Sequence, residues 1–196
     1  HIEWLLDQKV DAIFYPDMSY NVEEGLGVNH FNCPVVAYYP QVLKLNVPRL
    51  KEVPFICDFV SLANPVIFEK RITEILRNYF PKFSKTSIAV AAELAYDALV
   101  RYRKDVEEKG EEFREKAAEE GKPVIVLAGR PYHVDPEVNH GISKLICDLG
   151  AVVITEDSLS RSVEKFPTKV RNQWTYHARM YAAAKYIAEH PEEDLH

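Results

Sequence analysis

Cysteine is scarce in this sequence: Cys33, Cys57 and Cys147 are the only three in 196 residues. An odd number at such wide spacing excludes the disulfide framework of a small secreted protein and fits a reducing compartment, so a cytoplasmic location is expected. Long apolar runs are missing too. None approaches the roughly 18 residues that a membrane span requires, so no membrane association is expected. The first residues, HIEWLLDQKVD, show no basic region followed by an apolar run, which excludes a visible secretory signal. They also lack a methionine and enter a helical pattern at once, as a piece of a longer chain would. Basic residues are in deficit. The formal charge is -6 and the pI about 5.7, which argues against a nucleic-acid footprint, although anions could still be bound locally. With seven glycines the sequence holds neither GxGxxG nor GxxxxGK[ST], so it has no dinucleotide fingerprint and no P-loop.

What remains is a globular composition, 47% hydrophobic and 28% charged. Ile2, Leu5 and Leu6 have helical spacing, and the short run Ala12 to Pro16 reads as a buried strand ended by proline. PVVAYYP, Pro34 to Pro40, repeats the strand signal; QVLKLN reads as a short helix and PFICDFV, Pro54 to Val60, as a third strand. From Pro65 the period becomes 3.6, with Ile67, Phe68, Ile72, Ile75, Leu76 and Tyr79 on one face. A longer helix is expected from Ser87 to Glu120, its charged end a solvated face. Val124 to Ala128 then reads as a central parallel strand, followed by a helix over Gly141 to Gly150, a strand over Ala151 to Asp157 and a helix from about Gln173 to Glu189. The expectation is an α/β protein of two small doubly wound, flavodoxin-like parallel-sheet layers joined by a long helical segment, divided at 1–64, 65–121 and 122–196.

In open parallel sheets ligands bind beyond the carboxyl ends of the strands, which directs attention to GRPYHVDPEVNHG after Val124 to Ala128. Arg130, Tyr132, His133, Asp135, Glu137, Asn139 and His140 crowd a loop stiffened by Pro131 and Pro136. Asn139 is placed to cap the next helix, and Arg130 to pair with a phosphate or carboxylate at its amino end. The same residues equally suit turn hydrogen bonds that simply fix the loop. His133, Asp135 and His140 also have metal-ligand chemistry, but their spacing matches no pattern such as HExxH. A second polar cluster, Tyr15 to Pro34, includes Asp17, Tyr20, Asn21, Glu23, Glu24, Asn29, His30, Asn32 and Cys33. Cys33 before Pro34 reads either as a thiolate ligand or as a half-buried small residue. Cys57, in an apolar strand, and Cys147, on a helix, read as core. Trp174, His177 and Tyr181 fall at helical intervals and read as a packed stripe, with His177 and Arg179 as outside candidates for a ligand.

Taken together, FYPDMSYNVEEG, NHFNCPVVAYYP, LAGRPYHVDPEVNHGI, VITEDS and NQWTYHARMY resemble the CoA-substrate-specific enzyme activase-related proteins, within the 2-hydroxyacyl-CoA dehydratase and benzoyl-CoA reductase superfamily. The resemblance spans nearly the whole sequence and places it in the dehydratase-like region that follows activase modules. It implies an anaerobic, ATP-driven system in which an activase passes a low-potential electron to a dehydratase whose cysteine-bound [4Fe-4S] cluster meets an acyl-CoA. It implies further that ATP binds only on separate activase modules, that activase modules and an acyl-CoA are the partners, and that the chain belongs to a lyase or reductase system while being inactive alone. By motif, Cys33 in NCPVV is the cluster-ligand candidate. Asp17 stands after FYP, where relatives often carry a cysteine, and offers a harder oxygen donor. The alternative function is a non-catalytic module that docks a CoA ester or an activase through Gly129 to Gly141.

Overall fold

A computed structural model describes residues 1–196, which form helices and short parallel strands in two compact units. One comprises His1–Glu23 and His30–Asp97, the other Glu24–Asn29 and Ala98–His196. The chain is thus an α/β protein built from three two-stranded parallel sheets. No helix is long and apolar enough to cross a membrane.

The first unit opens with α1 (Ile2–Asp7), β1 (Ile13–Phe14) and β2 (Asp17–Tyr20). After a polar loop come α2 (Pro34–Asn46), β3 (Phe55–Ile56), β4 (Phe59–Ser61) and α3 (Pro65–Tyr79). β1 pairs in parallel with β3, and β2 with β4. Leu6, Ile13, Leu50, Phe55 and Cys57 form one buried cluster, and Ile56, Val60 and Ile75 another. Each fully buried aliphatic side chain contributes roughly 1.5–3 kcal/mol. α3 starts where expected because Asn64 accepts hydrogen bonds from the amides of Val66 and Ile67, and Pro65 occupies the first turn.

One expected strand is a helix instead. Pro34 to Pro40 is the first half of α2, in which Ala37 and Pro40 are buried, as is Cys33 just before it, while Val35, Tyr38 and Tyr39 face outward. An apolar run with β-branched and aromatic residues does not reveal its period, and the interior Pro40 hides the helix further.

The long helix α4 (Lys85–Glu120) leads from the first unit's residues into the second unit's. There, β5 (Val124–Leu127) pairs in parallel with β6 (Val152–Thr155), in register from Val124 opposite Val152 to Leu127 opposite Thr155. The crossover holds a 3-10 turn at Pro131–Val134, α5 (Pro136–Asn139) and α6 (Ile142–Asp148). α7 (Thr175–Glu189) buries Ala178, Ala182, Ala183 and Tyr186 against Ala117, Val124, Ile154, Leu159 and Val163. Its alanines permit close approach. The other edge of β5 is covered by the C-terminal residues, with Val126 N–H donating to the His196 carbonyl at 2.7 Å and His196 N–H to the Val124 carbonyl at 2.8 Å.

Candidate functional site

In the first unit, the carboxyl ends of β1 and β3 bring together chemistry that is scattered in sequence. Cys57 follows β3 directly, Asp17 opens β2 three residues after β1, and Tyr15 N–H donates to the Ile56 carbonyl at 2.9 Å to align the two strand ends. Gln41, on α2, donates from Nε2 to Asp17 Oδ2 at 2.5 Å and to the Cys57 carbonyl at 3.2 Å, and it lies 3.6 Å from Cys57 Sγ. Asp17 is fully buried, and its Oδ1 has no partner. An unsatisfied buried polar atom costs about 1–3 kcal/mol, so a cation or a donor at this point would be stabilising. Burial, with Tyr39 and Asp17 nearby, raises the Tyr15 pKa above its ordinary value.

Cys33 caps α2 and is 6% exposed. Its neighbour Asn32 fixes it to β2: Asn32 N–H donates to the Ser19 carbonyl at 2.9 Å and Nδ2 to the Met18 carbonyl at 2.9 Å, while Oδ1 accepts from Asn21 at 3.2 Å. The strand that begins with Asp17 therefore also carries the support for Cys33.

This donor set comprises two thiols and one carboxylate, soft and hard together. The one trio of His, Cys, Asp or Glu donors within 4.8 Å of one another is His190, Glu192 and Glu193, so Cys33, Cys57 and Asp17 are not drawn together as a single small ion would require. In an iron-sulfur cluster each thiolate sits on its own iron, so its donors need not meet at one point. Two thiols and one carboxylate fall short of the four thiolates of a complete cluster site, so at most they supply part of such a donor set. The His190 trio is otherwise engaged: His190 Nδ1 meets the Tyr186 carbonyl at 2.8 Å, and Glu193 holds Arg114 and the Tyr186 hydroxyl.

In the second unit, the loop after β5 uses most of its polar groups to hold itself. Arg130 N–H donates to His133 Nδ1 at 3.0 Å, and a Cβ at Gly129 would lie 2.7 Å from that nitrogen, so only glycine leaves room for the imidazole. Arg130 Nη1 donates to the Tyr132 hydroxyl at 2.8 Å. Asp135 caps α5 through the Glu137 amide at 2.9 Å. Asn139, buried, donates to the His133 carbonyl at 3.2 Å and accepts from the Ser143 amide at 3.1 Å, satisfying the start of α6 as the sequence suggested. His140 and Gly141 make the left-handed turn between the two helices, and His140 is exposed. His133, Asp135 and His140 do not form a ligand trio.

The charged groups deepest in this unit lie on other segments. Glu24 accepts from Arg179 Nε at 2.8 Å and Nη2 at 2.6 Å, and from Arg103 Nη2 at 2.7 Å. Burial alone would lower the Arg179 pKa, yet its bonds to Glu24 hold it above the ordinary value; for Arg103 burial prevails and the pKa is lowered. Glu156, 5% exposed at the end of β6, has its pKa raised to about 7 by burial and by Asp157, against an opposing hydrogen bond from the Gly129 backbone. His177 has a buried Nδ1 without a partner, and burial together with Arg130 lowers its pKa. Cys57 is core, as the sequence suggests, whereas nothing in the sequence singles out Gln41 or Glu156 as a site residue. The sequence pattern runs one strand through Cys57, and only the structure ends β3 at Ile56; Gln41 was hidden because α2 imitates a strand.

An α/β protein with polar and thiol groups gathered at the carboxyl ends of parallel strands defines the class. Within that class, the chain belongs to the CoA enzyme activase uncharacterised domain family, whose model matches residues 1–159. No curated protein and no solved structure matches the chain. The matched span takes in Asp17, Cys33, Cys57, the Gly129 to Gly141 loop and Glu156, and it stops short of His177 and Arg179.

Proposed function

We propose that the protein is a dehydratase-like module of an ATP-driven, iron-sulfur-dependent acyl-CoA system, and that Cys33 and Cys57 contribute thiolates to a [4Fe-4S] cluster at the strand ends of the first unit. The observation that carries this reading is the buried Asp17 carboxylate, unpartnered at Oδ1, which shares Gln41 with Cys57 on the strand whose loop holds Cys33. A bound cluster supplies one-electron transfer and a Lewis-acidic iron. The chain's own residues do the positioning. Asn21 and Asn32 fix the approach of Cys33, Gln41 orients the carboxylate and the second thiol, and the surrounding apolar residues restrict water. An activase module holding ATP serves as the electron donor and an acyl-CoA as the substrate. Membership of the family supports this assignment at the level of the system.

Anaerobic reconstitution with iron and sulfide, followed by iron analysis and electron paramagnetic resonance, tests the assignment. The intact protein should retain iron and give a reduced-cluster signal, and Cys33→Ser and Cys57→Ser should each lose most of both. Equal iron content in all three proteins would sink the proposal.

A further inference from the structure

The charge of this protein is -6, yet the seven residues KFPTKVR, Lys165 to Arg171, carry three cations and no acid. Lys165, Lys169 and Arg171 are exposed and enter none of the chain's ion pairs, whereas neighbouring Arg161 is paired with Glu107. Thr168 Oγ1 donates to the Val170 carbonyl at 2.7 Å and shapes this turn. The turn lies against Leu26 to Val28: Val28 N–H donates to the Asn172 carbonyl at 2.7 Å, and Asn172 Nδ2 to the Leu26 carbonyl at 3.3 Å. A Cβ at Gly27 would lie 2.9 Å from the Asn172 carbonyl oxygen, so the close approach depends on glycine. Between the two segments is a concavity of about 600 Å³, lined by the three cations, Phe166 and Asn172. That volume falls within the range of small-molecule sites. Asn172 is 5% exposed, and its Oδ1 is buried without a partner.

Cations that lack acids call for an anion, and a buried amide oxygen that lacks a donor calls for an N–H or O–H. One ligand meets both needs if it joins phosphoryl groups to an organic part bearing donors. We propose that this concavity binds a nucleoside diphosphate-class ligand, its phosphates on Lys165, Lys169 and Arg171 and a donor of its organic part on Asn172 Oδ1. The site uses side chains on a turn, which is why no glycine-rich phosphate motif announces it. It shares no residue with Cys33, Cys57 or Asp17, so iron reconstitution and nucleotide binding succeed or fail separately.

Calorimetric titration of the protein with ADP, pyrophosphate and adenosine tests the inference. ADP should bind, and binding should weaken as salt rises. Lys169→Gln and Arg171→Gln, both at exposed positions, should each weaken it about ten-fold, the scale of one charge-assisted hydrogen bond. Pyrophosphate should bind more weakly than ADP, and adenosine should give no heat. The inference is overturned if ADP gives no heat at millimolar concentration, if both substitutions leave its affinity unchanged, or if pyrophosphate or adenosine matches it.

Discussion

Glu156 is a carboxyl group whose surroundings oppose its charge. Burial and the adjacent Asp157 raise its pKa from 4.5 to about 7 in the folded protein. Between those values the folded state holds a proton that the unfolded state has released, so this group's contribution to stability falls as pH rises from 4.5 to 7 and levels off above. Glu156→Gln removes the charge while keeping an oxygen to accept the Gly129 amide. At pH 8 the variant should therefore be more stable than the parent, by up to about 3 kcal/mol for a shift of this size. The difference should shrink toward zero near pH 4.5, as urea denaturation across the range would measure. A pH-independent difference would show that Glu156 does not titrate in this window. VITED marked the place as a strand end, but burial of the carboxyl group depends on segments distant in sequence.

At the scale of elements, local signals served where a single helix stands on its own caps and period. α3 was legible because Asn64, Pro65 and the 3.6-residue apolar face agree, and the structure places Asn64 at 3.0 and 3.1 Å from the amides it caps. Asn64→Ala should cost about 1 kcal/mol in thermal or urea denaturation, the ordinary value of such a cap. A change below a few tenths would mean that the exposed amides find water equally well. The same logic identified Asn139 as the residue that secures α6. It failed for α2, where proline at both ends of PVVAYYP and four β-branched or aromatic residues imitate a buried strand. Packing of Ala37 and Pro40 on one side settled the helix, and with it the position of Gln41 between Asp17 and Cys57. The polar residues of the Gly129 to Gly141 loop were all visible in the sequence; that so many bond within the loop was not, because turn geometry depends on backbone angles such as the left-handed His140.

At the scale of the whole molecule, contacts far apart in sequence dominate. Glu24–Asn29 packs with Ala98–His196, and Glu24 is held there by Arg103 and Arg179. All three side chains are largely buried, so truncating the acid leaves two cations without their partner. Glu24→Ala should destabilise the protein by about 3–5 kcal/mol, the cost of breaking a buried pair. Chemical denaturation showing less than about 1 kcal/mol would place the trio in the weak, solvent-screened class.

The sequence by itself determined the α/β class, the helices α3, α4 and α7, the strands β5 and β6, and the family resemblance, because these rest on periodicity, caps and motif strings carried within short stretches. It also placed Cys33 and Asp17 in one polar segment. The tertiary structure alone decided that Cys57 and Gln41 join Asp17, that Glu156 is buried, that Glu24 pairs with Arg103 and Arg179, and that three cations share a concavity with Asn172. Such groupings depend on which faces are buried together, and burial is a property of the packed chain that no local pattern encodes.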